Sequence, residues 1–537
     1  MENKTISWEL LPASEVFKRY LKGDAQLSNF FESDPFLVQP IQHPHTVSII
    51  DSKKRAELLR DYNRDFDLHE EQKRNIERLS SPESLCVVTG QQLTIFGGPL
   101  YTFFKIITTI IHARKLSVAY GRPVIPVFWM ADEDHDFQEI ATIYYPKSSG
   151  LEQCSIKDED QYAAPVAERL ITDDVIEAIE HLFNDLGQTE FSSSVQDLLS
   201  ESYKKGDTHR KAFGTLITKI FGKYGLVLAG SNHPSIKKAF ISQFIRSIDN
   251  PSEIESALHQ QSELLRVISK PQAQVSDSLL FYIDPKNNHQ RIRIRRDGTG
   301  WYCGSLISWS DQEIRSEIEN HPERFSPNVF LRPILQDTLL PNLAYVAGPG
   351  EIGYYAQMRT FYKIFGQQMP CIYPRHSATL VEPGIARLMT ELPFDFEEYL
   401  QRSEVLEKLF LSNEKAVHPE VLSQKWTQIV RDGSKPFILE ISKFDASLEA
   451  SAQKVMAEFE ESVERLMQKL VRSIKQKEQT SLNRITRVKN ALFPNEGLQE
   501  RSVCGIYFMN KYGLDIWDRL INQFEMIEPN THHLIKF

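Results

Sequence analysis

Residues 85–139 constrain the fold more tightly than any other part of the chain. Leu85, Cys86, Val87, Val88 and Thr89 form a short apolar run with the β-branching of a buried strand. Gly90, Gln91 and Gln92 follow, then Gly97, Gly98 and Pro99. Farther on, Phe103, Phe104, Ile106, Ile107, Ile110 and Ile111 predict a helix with a very wide apolar face. A second apolar run, 124–130, ends in Ala131, Asp132, Glu133, Asp134, His135 and Asp136. Strand, glycine turn, helix, strand is a βαβ unit, whose parallel strands lie covered by helices. Ligands of open α/β sheets sit at the carboxyl ends of the strands. The polar clusters 89–92 and 132–136 therefore mark the expected site.

The same pattern recurs at intervals. A helix marked by Phe213, Leu216, Ile217, Ile220 and Phe221 leads to the strand 226–230, followed by Ser231, Asn232 and His233. The runs 328–333, 343–347 and 371–373 predict further strands, the second entering the turn 348–353 and the last ending in Pro374, Arg375 and His376. Between them lie two expected insertions. One, near 145–210, is polar with an amphipathic helix. The other, near 250–325, holds short strands separated by Pro285, Asn287, Asn288 and Gly298, as in an antiparallel meander. Arg291, Arg293 and Arg295 share one strand face there, either as a solvated face or as a phosphate-binding stripe. Residues 55–78 read as a solvated helix pair covering the core.

Beyond Gly384 the pattern predicts helix only. Phe459, Val463, Leu466, Leu470 and Ile474 recur three or four apart with Glu and Lys between them, in the manner of a heptad seam. Such a seam needs an antiparallel partner, which 396–411 could supply, or a second subunit. The expected organisation is an α/β core over 1–383 and a helical coiled-coil domain over 384–537.

Composition narrows the class. The 537 residues exceed one ordinary core, and 25% charged with 41% hydrophobic residues is a soluble globular balance. The net charge of −10 is spread along the chain, which favours neither nucleic acid nor an anionic membrane as partner. No run approaches the roughly 20 apolar residues of a membrane span. Five scattered cysteines without metal-ligand spacing suit a reducing cytosol, and the start of the chain lacks a signal peptide's apolar core. A cytoplasmic protein is expected.

Gly348, Gly350 and Gly353 formally match the dinucleotide fingerprint between a strand and a helix. The acidic ribose-binding residue expected about 20 positions later is missing, and Pro349 interrupts the amides. An anion held by amides at the helix start remains reasonable. The 132–136 cluster reads either as an acid-rich helix start or as a site, in which case Asp134 and His135 are favoured and hard carboxylates would suit Mg²⁺. No Walker loop, zinc-peptidase motif or nucleophile elbow is present.

The segments 88–92, 96–99 and 129–136, with Arg332, Pro333 and the run 347–351, resemble the cysteine-adding enzymes of bacillithiol biosynthesis. The resemblance covers essentially the whole chain, including Leu498, Gln499, Glu500 and Arg501. It implies a Rossmann-type core similar to class I aminoacyl-tRNA synthetases and related nucleotidyltransferases, with a C-terminal coiled coil. It also implies addition of L-cysteine to glucosaminyl-malate by a homodimer. The synthetases' His-Ile-Gly-His signature is absent; Gly97, Gly98, Pro99, Leu100 and Tyr101 occupy the comparable turn. ATP activation is therefore carried by analogy.

Amide formation requires an activated carboxyl and a base for the sugar ammonium, and Asp134 or His135 is placed for the latter. Arg332, Arg375 and the turn containing Gly348 and Gly350 are candidates for the malate carboxylates. Gln91, Gln92 and Asn232 are candidates for the sugar hydroxyls. A separate ATP or ADP pocket is expected where Gly384, Ile385 and Ala386 meet Arg487, Lys489, Asn490 and Phe493. The rival class is a coiled-coil scaffold with a degenerate nucleotide-binding core. Polar clusters at several strand ends argue against it.

Overall fold

A computed structural model of the chain describes residues 4–36, 49–147, 150–158, 164–298, 300–305, 307–413 and 419–537. Its centre is a five-stranded parallel sheet of β1 (Leu85–Gln91), β2 (Val124–Met130), β3 (Val227–Ala229), β4 (Asn342–Ala347) and β5 (Cys371–Pro374). The spatial order is β3-β2-β1-β4-β5. From β1 the chain winds outward first to one edge and then to the other, so the switch point lies between β1 and β4. Helix α1 (Leu100–Tyr120) crosses over from β1 to β2, with Phe103, Phe104, Ile106, Ile107 and Ile110 fully buried. The tight turn before it needs glycine at Gly97, where φ is +87° and a Cβ would stand 2.7 Å from the Phe103 ring.

Residues 328–333 are not a strand: Asn328 Oδ1 accepts from the amides of Phe330 and Leu331 and starts helix α2 (Leu331–Leu339). Pro333 sits in the first turn, where its missing N–H costs nothing. The strand in that region is Phe325–Pro327, which belongs to the antiparallel sheet of Leu280–Asp284, Gln290–Asp297, Gly300–Cys303 and Ile307–Trp309. This sheet forms the expected meander. The insertion after β2 carries the hairpin Thr142–Lys147/Gly150–Ser155 and the amphipathic helix Asp173–Leu186.

The region beyond Gly384 is not helix only. Strand His532–Lys536 runs parallel to Ser377–Val381 and antiparallel to Lys4–Ile6, so both ends of the chain are tied together beside the core. Trp517 stacks on Phe103 of α1 with centroids 4.3 Å apart. The division at 383/384 is thus crossed by the last forty or so residues, which pack back on the α/β core.

The protruding part is a hairpin of two antiparallel helices, α3 (Pro419–Phe444) and α4 (Glu449–Lys477). The partner of the seam is α3, whereas Ser403–Asn413 and the turn Phe396–Leu400 pack on the next helix, α5 (Gln479–Leu492). The inward stripe of α4 is Ala452, Met456, Val463, Met467 and Leu470. Phe459 and Leu466, expected in the seam, are 51% and 59% exposed. Among the described residues no helix is long and apolar enough to cross a membrane.

Candidate active site

The carboxyl ends of β1, β2 and β4 open into a cleft of two adjoining chambers. The first, a cavity of about 540 Å³, lies over the switch point and is lined by Gln91, Tyr101, Glu139, Tyr144, Tyr354 and Arg501 among others. The second, about 400 Å³, extends under the antiparallel sheet and includes Glu133, Asp134, Ser276, Phe281, Arg291 and Arg293. Gln92, Trp129, Ala131 and Arg332 line both.

The floor of the first chamber is a buried polar network. Lys105, on α1 and 3% exposed, donates to the Gly90 carbonyl at 2.8 Å and to Gln91 Oε1 at 3.1 Å. It also pairs with Glu351 at 2.5 Å. Gln91 Nε2 donates in turn to the Tyr101 hydroxyl at 3.1 Å. Glu351 accepts from the Tyr345 hydroxyl at 2.7 Å and the Gly348 amide at 2.8 Å. Burial raises the Glu351 carboxyl, but Lys105 and these donors outweigh it and hold the group below the usual range. The start of the short helix Pro349–Tyr355 is therefore capped by the chain's own carboxylate. That arrangement does not fit a pyrophosphate on the turn, and a Cβ on Gly350 would meet nothing within 4 Å. Lys105 was visible in the sequence as a lone charge in an apolar helix face, and that was its signal.

The acid cluster diverges. Asp132 turns inward, accepting from the Tyr62 hydroxyl at 2.7 Å and from the amides of Ser231 and Asn232 at 3.1 Å. Burial and the neighbouring Glu133 push its carboxyl up to about 6. Tyr62 lies in helix Ser52–Asn63, so that helix is more than a solvated cover. Glu133 pairs with buried Lys237 at 3.0 Å. Asp134 faces the cleft, where its Oδ2 accepts from Gln92 Nε2 at 2.8 Å. Burial raises Asp134, yet His135, Arg291 and two backbone amides outweigh it and hold the group well below the usual range. Among the described residues no three metal-ligating side chains converge, so the cluster does not offer a cation cage.

His135 Nδ1 lies 3.1 Å from Arg291 Nη1 and 3.5 Å from Asp134 Oδ1. Arginine can only donate, so Nδ1 accepts from Arg291 when the ring's proton is on Nε2, and donates to Asp134 when Nδ1 itself carries a proton. Arg291 also donates to Ser326 Oγ and the Pro327 carbonyl, both at 2.8 Å, and stacks on Phe281. It is a half-buried clamp rather than part of a solvated arginine face; Arg293 and Arg295 keep the exposed positions.

The other expected residues divide. Arg332 sits between the chambers, donating to Tyr354 at 2.8 Å and Gln336 at 3.1 Å. Asn232 does not join the cleft: its amide donates to Glu168 at 3.0 Å, on a cavity behind the cluster. Arg375 is buried in an ion pair with Glu500 at 2.6 Å, whose other oxygen accepts from Ser377 and the Ala378 amide. It ties β5 to the C-terminal segment. Gly384 and Arg487 do come together, a Cβ on the glycine lying 4.0 Å from Nη2. Lys489 donates to the Gln401 carbonyl and Phe493 packs on Phe396, so both are structural there. Ile385 is buried, while Ala386 and Asn490 are half-buried.

A five-stranded doubly wound sheet with a polar, cation-bearing cleft at its switch point defines a Rossmann-type α/β enzyme architecture. The family model "Bacillithiol biosynthesis BshC, N-terminal Rossmann-like domain" matches residues 1–376, and "Bacillithiol biosynthesis BshC, C-terminal coiled-coil domain" matches 378–537. The chain belongs to the bacillithiol biosynthesis BshC family. Relatives named "Putative cysteine ligase BshC" include those of Bacillus cytotoxicus, 29% identical, and Bacillus cereus strain AH820, 30% identical. Another, from Bacillus thuringiensis subsp. konkukian, is 30% identical; each alignment covers 100% of both chains.

Proposed function

We propose that the protein ligates L-cysteine to glucosaminyl-malate through an amide bond. The observation that carries this reading is the two-chamber cleft with Arg332 at its junction, which suits two polar substrates meeting under one cation. The cysteine carboxylate is first activated, its oxygen attacking either the α-phosphorus of ATP with loss of pyrophosphate or the γ-phosphorus with loss of ADP, to give a mixed anhydride. The deprotonated sugar amine then attacks the carbonyl carbon, and the phosphate or adenylate departs with the carboxylate oxygen. Asp134 and His135 attend this step. When His135 accepts the proton of the sugar ammonium, Nδ1 exchanges the Arg291 donor for Asp134 as acceptor.

In this reading the nucleotide is not cradled by the 348–353 turn, which Glu351 fills. The surface formed by Gly384, Arg487 and Asn490 is our candidate for ATP or ADP. Mg²⁺ would arrive as the counter-ion of its phosphates. The exposed Phe459 and Leu466 of α4 support a homodimer.

Purified protein incubated with glucosaminyl-malate, cysteine and ATP should yield the cysteinyl product by mass spectrometry. Asp134→Asn or His135→Ala should remove turnover with little change in melting temperature. No product from the wild-type chain would refute the ligase reading. A wild-type rate in either variant would make the cluster a helix start only.

A further inference from the structure

The second chamber holds a buried charge that the fold leaves incomplete. Glu133 is 6% exposed, and its Oε2 accepts from Lys237 Nζ at 3.0 Å. Lys237 lies outside this chamber and donates also to the Glu323 carbonyl. Glu133 Oε1 is buried and has no hydrogen-bond partner among the described residues. A buried carboxylate oxygen without a donor is costly, and because Glu133 lines the chamber a ligand there can supply one.

The chamber's other charges indicate what kind of donor. Asp134 is beside Glu133 and is held anionic by the contacts described above. Arg293 lines the same chamber, and its guanidinium has no hydrogen-bond or ion-pair partner among the described residues. Arg332 stands at the border. Open acid and open guanidinium in one small space match a zwitterion better than a dianion. The first chamber differs, offering the hydroxyls of Tyr101, Tyr144 and Tyr354 and the guanidinium of Arg501. Those groups suit a hydroxyl-rich ring bearing carboxylates.

Resting on the ligase reading above, we propose that the second chamber is the amino-acid subsite. The α-ammonium of L-cysteine donates to Glu133 Oε1, and its carboxyl group lies toward Arg293 and Arg332. Glucosaminyl-malate occupies the first chamber, and the reacting groups meet beside Arg332, Gln92 and Trp129.

Calorimetry on the full chain, in the presence of a non-hydrolysable ATP analogue, tests this with L-cysteine, 3-mercaptopropionate (which lacks the ammonium) and glucosaminyl-malate. The wild type should bind cysteine at least tenfold tighter than 3-mercaptopropionate. Glu133→Gln should lose that discrimination while its Kd for glucosaminyl-malate stays within twofold. Because this variant strands Lys237, Arg293→Ala provides a second reading that does not disturb the core. It should weaken both thiols at least tenfold and leave glucosaminyl-malate unchanged. Retained discrimination in a folded Glu133→Gln, or loss of glucosaminyl-malate binding in Arg293→Ala, overturns the assignment. A wild type that binds glucosaminyl-malate but no cysteine refutes the ligase reading itself, as does one that binds neither.

Discussion

Lys105 Nζ lies 2.5 Å from Glu351 Oε2, and the pair spans the switch point from α1 to the helix after β4. Lys105 is buried and Glu351 half-buried beneath the cleft, with Gly90, Gln91, Tyr345 and Gly348 completing their hydrogen bonds. The two halves of the sheet are therefore joined by charge at the place where the substrates are expected.

Breaking this pair from one side should be costly. Lys105→Met leaves the half-buried Glu351 without its cation, a loss of about 2–4 kcal/mol. The double variant Lys105→Met/Glu351→Gln should recover part of that. Urea denaturation of the four proteins measures the coupling, and simple additivity of the two single losses would contradict it.

Stability should fall on mild acidification. Burial pushes His112 and His376 down to about 3 and His209 and His532 down to about 4. Below about 6.5 the unfolded chain binds protons at these sites that the native state refuses. Each then costs up to ~1.4 kcal/mol per pH unit until its folded value is reached. Asp132 and Asp337, raised to about 6 by burial, act oppositely between about 6 and 4, because the native state takes up their protons first. Four histidines outweigh two carboxyls. The melting temperature should drop from pH 6.5 to 4.5; a flat or rising profile would contradict this balance.

Nucleotide binding should be separable from the cleft. Arg487 is exposed beside Gly384, so Arg487→Ala should weaken ADP about tenfold, ~1.4 kcal/mol, without loss of stability. Lys489→Ala is the poorer probe, since this side chain is buried on the Gln401 carbonyl. Unchanged ADP affinity in Arg487→Ala, together with its loss in Asp134→Asn, would move the nucleotide to the sheet edge.

Association should depend on the outer face of α4. Phe459→Glu with Leu466→Glu alters two exposed positions, so the intramolecular hairpin and its helicity should persist. Sedimentation should show the dimer mass fall to that of one chain. A wild type that already sediments as one chain, or a variant that stays dimeric, would exclude this face as the contact.

Local pattern was enough for the sheet. Apolar runs of strand length, the glycine turn at 97–98 and the wide face of α1 depend on neighbours in the chain, and β1, α1, β2, β3, β4 and β5 all lie close to where those signals put them. Periodicity likewise located α4. Tertiary contact decided what local pattern cannot encode. Asn328 capped a helix where Val329, Phe330 and Leu331 alone suggested a strand. Phe459 and Leu466 fell outside the seam because the partner helix, not the spacing, selects which apolar stripe is covered. Arg375 and Asn232 stood at strand ends in the sequence, but Glu500 and Glu168, distant in the chain, claimed their side chains. The five consecutive polar residues 132–136 looked like one cluster. Folding sent Asp132 to Tyr62, Glu133 to Lys237 and Asp134 to Gln92, because each carboxylate withdrawn wholly or partly from water needs its own donors and only the three-dimensional neighbourhood supplies them.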